Sequence, residues 1–152
     1  MQTFLPYDDF ERTAKCLDYK RLGKQRVEAK QILDIITGKN PNSRWRNHPA
    51  VKMWVGFENA LGSYMNYMIA EWIKRGYVNN MEFYDTGELP SWHFKYYNDM
   101  TRYVGDIIES PTWLQKNEFH SSHRAALLFK DYDYYKQFNW SERPRIKYYW
   151  PI

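Results

Sequence analysis

The sequence predicts an all-α protein: a single small domain built on two long helices, about 18–37 and 49–75, plus shorter helices and long loops. Three observations favour this fold class. Apolar residues recur at helical spacing in both long segments, and Gly or Pro stands near their ends. The alternation of Val and Thr that is typical of strands is missing. The 152 residues suffice for one domain with a real core, and no repeat or linker divides the chain.

The first two helices follow each other closely. In "PYDDFERTAKCL", Asp8 or Asp9 is an N-cap candidate for a short helix that ends near Cys16. The long helix 18–37 comes next, and Gly38 is suited to end it.

The segment "HPAVKMWVGFENALGSYMNYMIAEWIKRGY" predicts one continuous helix. Pro49 suits its first position, and Gly76 suits the position after its last turn. Gly56 and Gly62 inside the segment indicate that another element packs closely against it.

The middle of the chain has a weaker pattern. Residues 79–92, "NNMEFYDTGELPSW", are typical of a loop. Residues 93–109, "HFKYYNDMTRYVGDIIE", predict a helix.

The last third predicts another helix over 119–130, capped by Ser121 or Ser122, and a further helical turn in "DYDYYKQF". The end of the chain, 139–152, is basic and aromatic and is expected to be extended.

Composition excludes several classes of protein. Charged residues make up 26% and apolar residues 43% of the chain, which is typical of a globular protein. The sequence has neither an apolar run of membrane-spanning length nor a signal peptide at its start, so we expect a cytoplasmic protein. The one cysteine, Cys16, rules out an internal disulfide and a Cys-rich zinc site, and it is expected to be a small buried hydrophobe.

The distribution of charge and rings favours a nucleic-acid partner. Residues 1–52 contain 11 Lys or Arg against 6 acids, residues 82–109 contain 2 against 6, and residues 136–147 contain 4 against 1. The chain also has 14 Tyr and 7 Trp. Cations bind phosphates and rings stack on bases, so two basic segments rich in aromatics suit a polyanion with exposed bases.

The second helix carries polar residues within its apolar stripe. With Arg21 set at zero on a helical wheel, the core residues fall between about 20° and 120°. Asp18, Gln25, Arg21 and Glu28 fall between about −20° and 60°, which overlaps that stripe. Charges at this position are costly unless they are paired or used. The pattern indicates either an Arg21–Glu28 ion pair or a polar pocket.

The motif "HSSH" places His120 and His123 near one face of a helix. With His48 or Glu28 they could bind a metal, but no further ligands appear at helical spacing and "HExxH" is missing. We therefore expect no metal and no cofactor. With Arg124 the two histidines instead suggest a polar cluster for phosphate or carboxylate, or simple helix capping.

Two more segments combine cations with other recognition groups. "RWRNHPAV" places Arg44, Arg46, Asn47 and His48 before a helix N-terminus, which suits a phosphate or a capped loop. The rings of the tail "NWSERPRIKYYWPI" either stack on bases or pack back onto the helices. The second is favoured, because such rings are costly to leave in water.

Several runs resemble the pyrimidine-dimer DNA glycosylase family of phages and bacteria. "RVEAKQILDIITGK", "MIAEWIKRGY" and the aromatic, basic end are similar to that family, and a largely uncharacterised branch carries runs like "FLPYDDF", "LDYKRLGKQRVEA", "WRNHPAVKMW" and "HSSHRAALLFKD". The resemblance implies a small all-α fold that binds duplex DNA, flips a nucleotide, removes a damaged pyrimidine and then cleaves at the abasic site. It also implies the host cytoplasm if a phage encodes the protein.

Two positions depart from the family pattern. Studied members form a Schiff base through the α-amine of a small second residue, whereas residue 2 here is Gln, which is expected to keep Met1 in place. Those members also carry a catalytic Glu three residues before an Arg-Val pair. Anchored on Arg26 and Val27, that position is Gly23. AP-lyase chemistry through the N-terminus is therefore expected to be weak or absent.

The resemblance also implies that the helix 18–37 lines the active-site cleft. The residues expected to take part in catalysis are Glu28, Arg21, Asp18 and His120. A carboxylate is needed to activate water or to stabilise a cationic sugar, and Gln25 could read the edge of a flipped base. The residues expected to bind substrate or DNA are Lys24, Gln25, Arg26, Arg46, Asn47, His48, Ser122, His123, Arg124, Lys130 and Trp140.

Three functional hypotheses remain open at this point. The first is a DNA glycosylase that acts on a damaged or modified pyrimidine. The second is a nucleic-acid-binding module on the same fold without catalysis. The third is an enzyme that acts on nucleosides or nucleotides.

Overall fold

Helices are the regular structure of this protein. The computed structural model describes residues 1–85 and 109–152, and these residues contain no strand. The fold class is all-α, as predicted. The α-helices are α1 (Phe10–Cys16), α2 (Tyr19–Ile36), α3 (Pro49–Lys52), α4 (Glu58–Lys74), α5 (Asn117–Lys130) and α6 (Tyr132–Tyr135), with 3-10 helices at Thr112–Gln115 and Lys136–Phe138.

The first two helices begin and end as predicted. The Asp9 side chain caps α1 by accepting the N–H of Arg12 at 2.8 Å. Asp18 caps α2 by accepting the N–H of Arg21. Gly38 follows α2 with a φ of 88°, a conformation that glycine adopts at little cost.

The core lies between α2 and α4, and α1 packs against α4 as well. Helix α4 is buried on almost every side, from Ala60 to Glu71. A side chain at Gly23 of α2 would press against the ring of Trp72 on α4, since a Cβ there would lie 2.8 Å from it. Gly62 of α4 has no room for a side chain either, because the Tyr84 ring covers it. The close packing predicted at Gly62 is confirmed.

The predicted continuous helix 49–75 is wrong. The chain forms the short α3, turns through residues 53–57, and starts again as α4. Gly56 has a φ of 88° in that turn, so it serves the turn and not close packing. Apolar residues continue at helical spacing across the break. Within the turn, Trp54 is buried, whereas Val55 is 60% exposed.

The start of helix α5 differs from the prediction. Helix α5 begins at Asn117 and not at 119, and Lys116 precedes it without a side-chain cap. Ser121 and Ser122 are therefore not caps; they bond to Glu142 and to the carbonyl of Phe119. The helix predicted over 93–109 lies almost wholly outside the described residues.

Both ends of the chain pack onto this helical frame. Residues 2–6 are buried. In the tail, Trp140 stacks on Tyr135, Tyr148 contacts Phe4, and Trp150 contacts His48. The rings of the tail thus pack back onto the helices, as favoured above.

Cys16 is buried and unpaired, and burial raises the pKa of its thiol to about 12. It is the small buried residue that was predicted. In residues 1–85 and 109–152 no helix has the length and apolar character needed to cross a membrane.

Candidate active site

The N-terminal segment, residues 1–6, runs through the interior beside α2. Its main chain is bonded by side chains of that helix. The N–H of Phe4 donates to Gln25 Oε1 at 2.8 Å, and the N–H of Gln2 donates to Glu28 Oε2 at 3.3 Å. Polar residues on the apolar stripe of α2 thus accept the N–H groups of a buried main-chain segment that belongs to no helix or sheet.

A second helix holds the same segment from the other side. His123 Nδ1 accepts the N–H of Leu5 at 2.8 Å, and His120 Nδ1 lies 2.7 Å from the carbonyl oxygen of Leu5. Arg124 donates to the carbonyl of Pro6 at 2.8 Å. The motif "HSSHR" is therefore a clamp on the main chain of residues 5 and 6.

The histidine clamp depends on a neutral His123. Burial, with a smaller contribution from the charge of His120, lowers the pKa of His123 to about 3. A neutral ring can accept a hydrogen bond at Nδ1, as the N–H of Leu5 requires. Within the described part of the chain, no group of three or more His, Cys, Asp or Glu side chains is placed to hold a metal ion.

Glu28 is the carboxylate of the resulting cleft. It is 9% exposed, and its Oε2 accepts both the N–H of Gln2 and, at 3.0 Å, the amide of Gln25. Its Oε1 lies 3.7 Å from Lys24 Nζ, which is an ion pair but longer than a hydrogen bond. One oxygen is thus fixed by the scaffold, and the other is left to interact within the cleft.

Gln25 positions Glu28. It is 1% exposed, and its Oε1 accepts from Phe4 and lies 2.7 Å from the Tyr64 hydroxyl, which is also 2.8 Å from the Phe4 carbonyl. Its amide nitrogen is bonded to Glu28. The polar groups of Gln25 are occupied inside the protein, so its geometry suits a scaffold better than a reader of bases.

The cleft beside Glu28 has a volume of about 410 Å³. Most of its polar lining is cationic, and its apolar lining comes from the chain start and the tail. The lining residues are Met1, Gln2, Phe4, Lys20, Arg21, Lys24, Gln25, Glu28, Lys130, Ile146 and Tyr148. A site with several cations and one carboxylate suits an anionic ligand that also needs a negative group at one point.

Burial shifts the pKa of two further rings, and the charge of Glu28 modifies both shifts. Burial raises the pKa of Tyr148, with Arg21 opposing the shift and Glu28 adding to it. Burial lowers the pKa of His48, and the Met1 amine adds to this while Glu28 opposes it. His48 Nδ1 accepts the N–H of Ala50 at 3.0 Å, so His48 is the N-cap of α3.

The four predicted catalytic residues divide into two pairs. Glu28 and Arg21 both line the cleft. Asp18 caps α2 and accepts the hydroxyl of Tyr135, while His120 lies between the carbonyl oxygens of Leu5 and Leu114. The geometry gives Asp18 and His120 supporting positions in the fold.

The predicted Arg21–Glu28 ion pair is wrong. Arg21 pairs with Asp18 at 3.2 Å, one helical turn before it, and Glu28 pairs with Lys24. Neighbours at three or four residues on one helix satisfy each charge locally.

The predicted binding residues are spread over the molecule. Lys24, Gln25 and Lys130 line the cleft. Arg46 and Asn47 are exposed, and Arg46 donates to the carbonyl of Ser43. The remaining ones contact the protein itself: Arg26 stacks on Trp72 and bonds to Asn79, His48 caps α3, His123 holds Leu5, Ser122 accepts the N–H of Tyr149, Arg124 pairs with Glu142, and Trp140 bonds to Tyr7.

Sequence patterns missed seven residues of the site. Gln2 and Tyr64 hold the network around Glu28, and five others line the cleft: Met1, Phe4, Lys20, Ile146 and Tyr148. Only Gln2 offered a signal, since a polar residue close to a run of apolar ones needs a partner when it is buried.

The position at which the family carries its glutamate is occupied differently here. Gly23 faces Trp72 in the interface between α2 and α4, where a larger side chain has no room. The carboxylate of the cleft is five residues further along the same helix, at Glu28.

Fold and site define a small helical protein with one buried carboxylate in a basic cleft. The model of the pyrimidine dimer DNA glycosylase family matches residues 1–85, which is more than half of the chain. The protein belongs to this family. No curated protein and no solved structure matches the chain. The matched residues include the N-terminal segment and α2, and therefore Glu28.

Proposed function

We propose that the protein is a DNA glycosylase that flips a damaged or modified pyrimidine out of duplex DNA and hydrolyses its bond to the sugar. The observation that carries this proposal is the position of Glu28. A buried carboxylate with one fixed and one available oxygen lies in a cation-lined cleft, in a chain that belongs to a glycosylase family.

The cleft supports binding of a flipped nucleotide. Its volume of about 410 Å³ lies in the range of ligand pockets. Lys20, Lys24 and Lys130 would neutralise phosphates that flank the flipped residue. Phe4 and Tyr148 supply aromatic surface in the same cleft, and a base removed from its stack gains from contact with rings.

Glu28 would act where positive charge develops. As the bond between the base nitrogen and C1′ breaks, its electron pair leaves with the base and the sugar becomes cationic. Glu28 Oε1 would stabilise that charge or take a proton from the attacking water. The water oxygen then bonds to C1′, and the base leaves with one proton. The products are an abasic site and the excised base, which in a pyrimidine dimer stays bonded to the neighbouring base.

The hydrogen-bond network supports precise placement of this group. Gln25 and the N–H of Gln2 both bond to Glu28 Oε2, and Tyr64 holds Gln25. Groups of this kind lock the rotamer of a catalytic residue.

The test is an incubation with duplex oligonucleotides that carry a pyrimidine dimer, uracil or a modified pyrimidine. Abasic sites are read by alkaline cleavage, and strand cleavage is read without alkali. We expect abasic sites in at least one substrate and their loss in Glu28→Gln. Equal product from wild type and Glu28→Gln would exclude this mechanism, and binding without any product would favour a non-catalytic module.

A further inference from the structure

The tail of the protein is fixed along α5. The N–H of Arg145 donates to the carbonyl of Ala125 at 3.0 Å, and the N–H of Tyr149 donates to Ser122 Oγ at 3.1 Å. Near the start of this segment, Glu142 pairs with Arg124 at 2.9 Å. These contacts hold residues 142–149 in place against the helix.

Side chains of this segment alternate between two surfaces. Ile146 lines the cleft beside Glu28, whereas its neighbours Arg145 and Lys147 line a groove of about 640 Å³ on the other side of the tail. Arg143 and Tyr149 line the same groove. This alternation is that of an extended chain, in which residues two apart are about 6.6 Å from each other.

The groove carries excess positive charge. Arg143, Arg145 and Lys147 are exposed, and among the ion pairs of the described residues none involves these three cations. Of the two acids in the lining, Glu142 is neutralised by Arg124. Glu118 is exposed and is the acid that opposes an anionic ligand.

We infer that this groove binds the sugar–phosphate backbone of the DNA strand whose flipped base occupies the cleft. The inference rests on the proposed function and extends it. Tyr148 lines both the cleft and the groove, so the two sites share a wall. A strand that delivers a nucleotide to the cleft can therefore continue into the groove. Three cations spread along an extended segment suit the row of phosphates on one strand better than a single compact anion.

The first test measures binding of undamaged duplex DNA over a series of salt concentrations. The variant is Arg143→Gln/Arg145→Gln/Lys147→Gln, and its control, Lys39→Gln/Lys52→Gln/Lys136→Gln, removes the same charge elsewhere. At low salt the groove variant should bind at least about tenfold more weakly than wild type. The slope of its log affinity against log salt concentration should be shallower by about three units. The control should keep the wild-type slope. Equal slopes in the two triple variants would overturn the inference.

A single substitution tests the same groove by a gain of binding. Glu118→Gln removes the opposing acid and should tighten DNA binding, and this result does not depend on how well the triple variant folds. Unchanged affinity in Glu118→Gln would count against the groove.

Excision separates this inference from the proposed function. The groove variant should need about tenfold more protein than wild type for half-maximal excision, whereas the control triple variant should keep the wild-type value. If the wild type excises the base and the groove variant binds DNA with the affinity and salt slope of wild type, only the groove inference would be overturned. Failure of the wild type both to bind and to excise would overturn the groove and the proposed function together.

Discussion

Glu28 accepts the main-chain N–H of Gln2 at 3.3 Å, although the two residues are 26 positions apart in the sequence. This bond brings the first residues of the chain to the carboxylate of the cleft. It also explains why polar side chains occupy the apolar stripe of α2, since the N-terminal segment is buried there and its N–H groups need acceptors.

Glu28→Gln should abolish excision and preserve DNA binding. A glutamine keeps an oxygen for the N–H of Gln2, but it cannot take a proton or balance a cationic sugar. The excision rate should fall by about a hundredfold or more. Affinity should be unchanged or slightly higher, because a negative charge leaves a basic cleft. Glu82→Gln, an exposed acid, is the control in single-turnover assays. Retained excision would remove Glu28 from the mechanism.

Tyr64→Phe should weaken both the fold and catalysis. The hydroxyl lies within hydrogen-bond distance of Gln25 and of the Phe4 carbonyl in a fully buried site. Its loss should lower the free energy of unfolding by about 1–3 kcal/mol, measured in urea. Below the unfolding transition, the rate of the bound complex should fall while DNA affinity holds. Gln25→Ala should behave in the same way. A change only in preference between bases would instead make Gln25 a reader of the substrate.

His123 should make the protein less stable in acid. Its folded pKa of about 3 lies below the ordinary value of 6.5. Between these values the unfolded chain binds a proton that the folded protein does not. As the pH is lowered from 6.5 toward 3, this residue should therefore reduce the free energy of unfolding by about 1.4 kcal/mol for each pH unit.

The matched variant for this effect is His123→Asn, whose amide oxygen can still accept the N–H of Leu5. Urea unfolding at several pH values should give a shallower dependence for the variant than for wild type. Parallel curves would show that His123 does not remain neutral in the folded protein.

Local signals predicted local structure well. Asp9 caps α1 and Gly38 follows α2 as predicted, because each needs only its own neighbours in sequence, whereas the capping role of Asp18 was not predicted. The break at Gly56 was missed because apolar spacing continues across it. Periodicity reports which residues are apolar, and it does not register one glycine at positive φ.

The site could be predicted only in part, because its partners are far apart in sequence. The position of Glu28 on the stripe of α2 indicated a pocket. Nothing local to α2 indicates that residues 2–4 supply the donors, or that Tyr148 from the tail forms the opposite wall. The motif of His120 and His123 suggested a ligand site, yet its partner is the main chain of Leu5.

The N-terminal amine should form little or no covalent adduct with abasic DNA. Gln2 is 5% exposed and lies against Glu28, and it is expected to keep Met1 in place. Mass spectrometry should find Met1 retained, and borohydride should trap little protein on abasic DNA. A Gln2→Thr variant, which permits removal of Met1, is the comparison. A strong adduct at residue 1 of the wild type would restore a lyase step.

Cations of the cleft and cations of the clamp should respond differently to substitution. Lys24 and Lys130 line the cleft with exposed side chains. Each Lys→Gln change should make the salt slope of DNA binding shallower by about one unit and leave stability unaltered. Arg124 instead bonds to Pro6 and Glu142, with its side chain only 17% exposed.

Arg124→Gln should therefore lower the unfolding midpoint in urea. Where the variant is folded, Glu142 loses its cation and becomes a second acid in the groove, so DNA affinity should fall as well. Arg46→Gln is the exposed comparison, expected to lower the slope only if the loop before α3 touches phosphates. If Arg124→Gln weakened DNA binding while Lys24→Gln and Lys130→Gln kept the wild-type salt slope, the DNA would lie in the groove along α5 and not at the cleft beside Glu28.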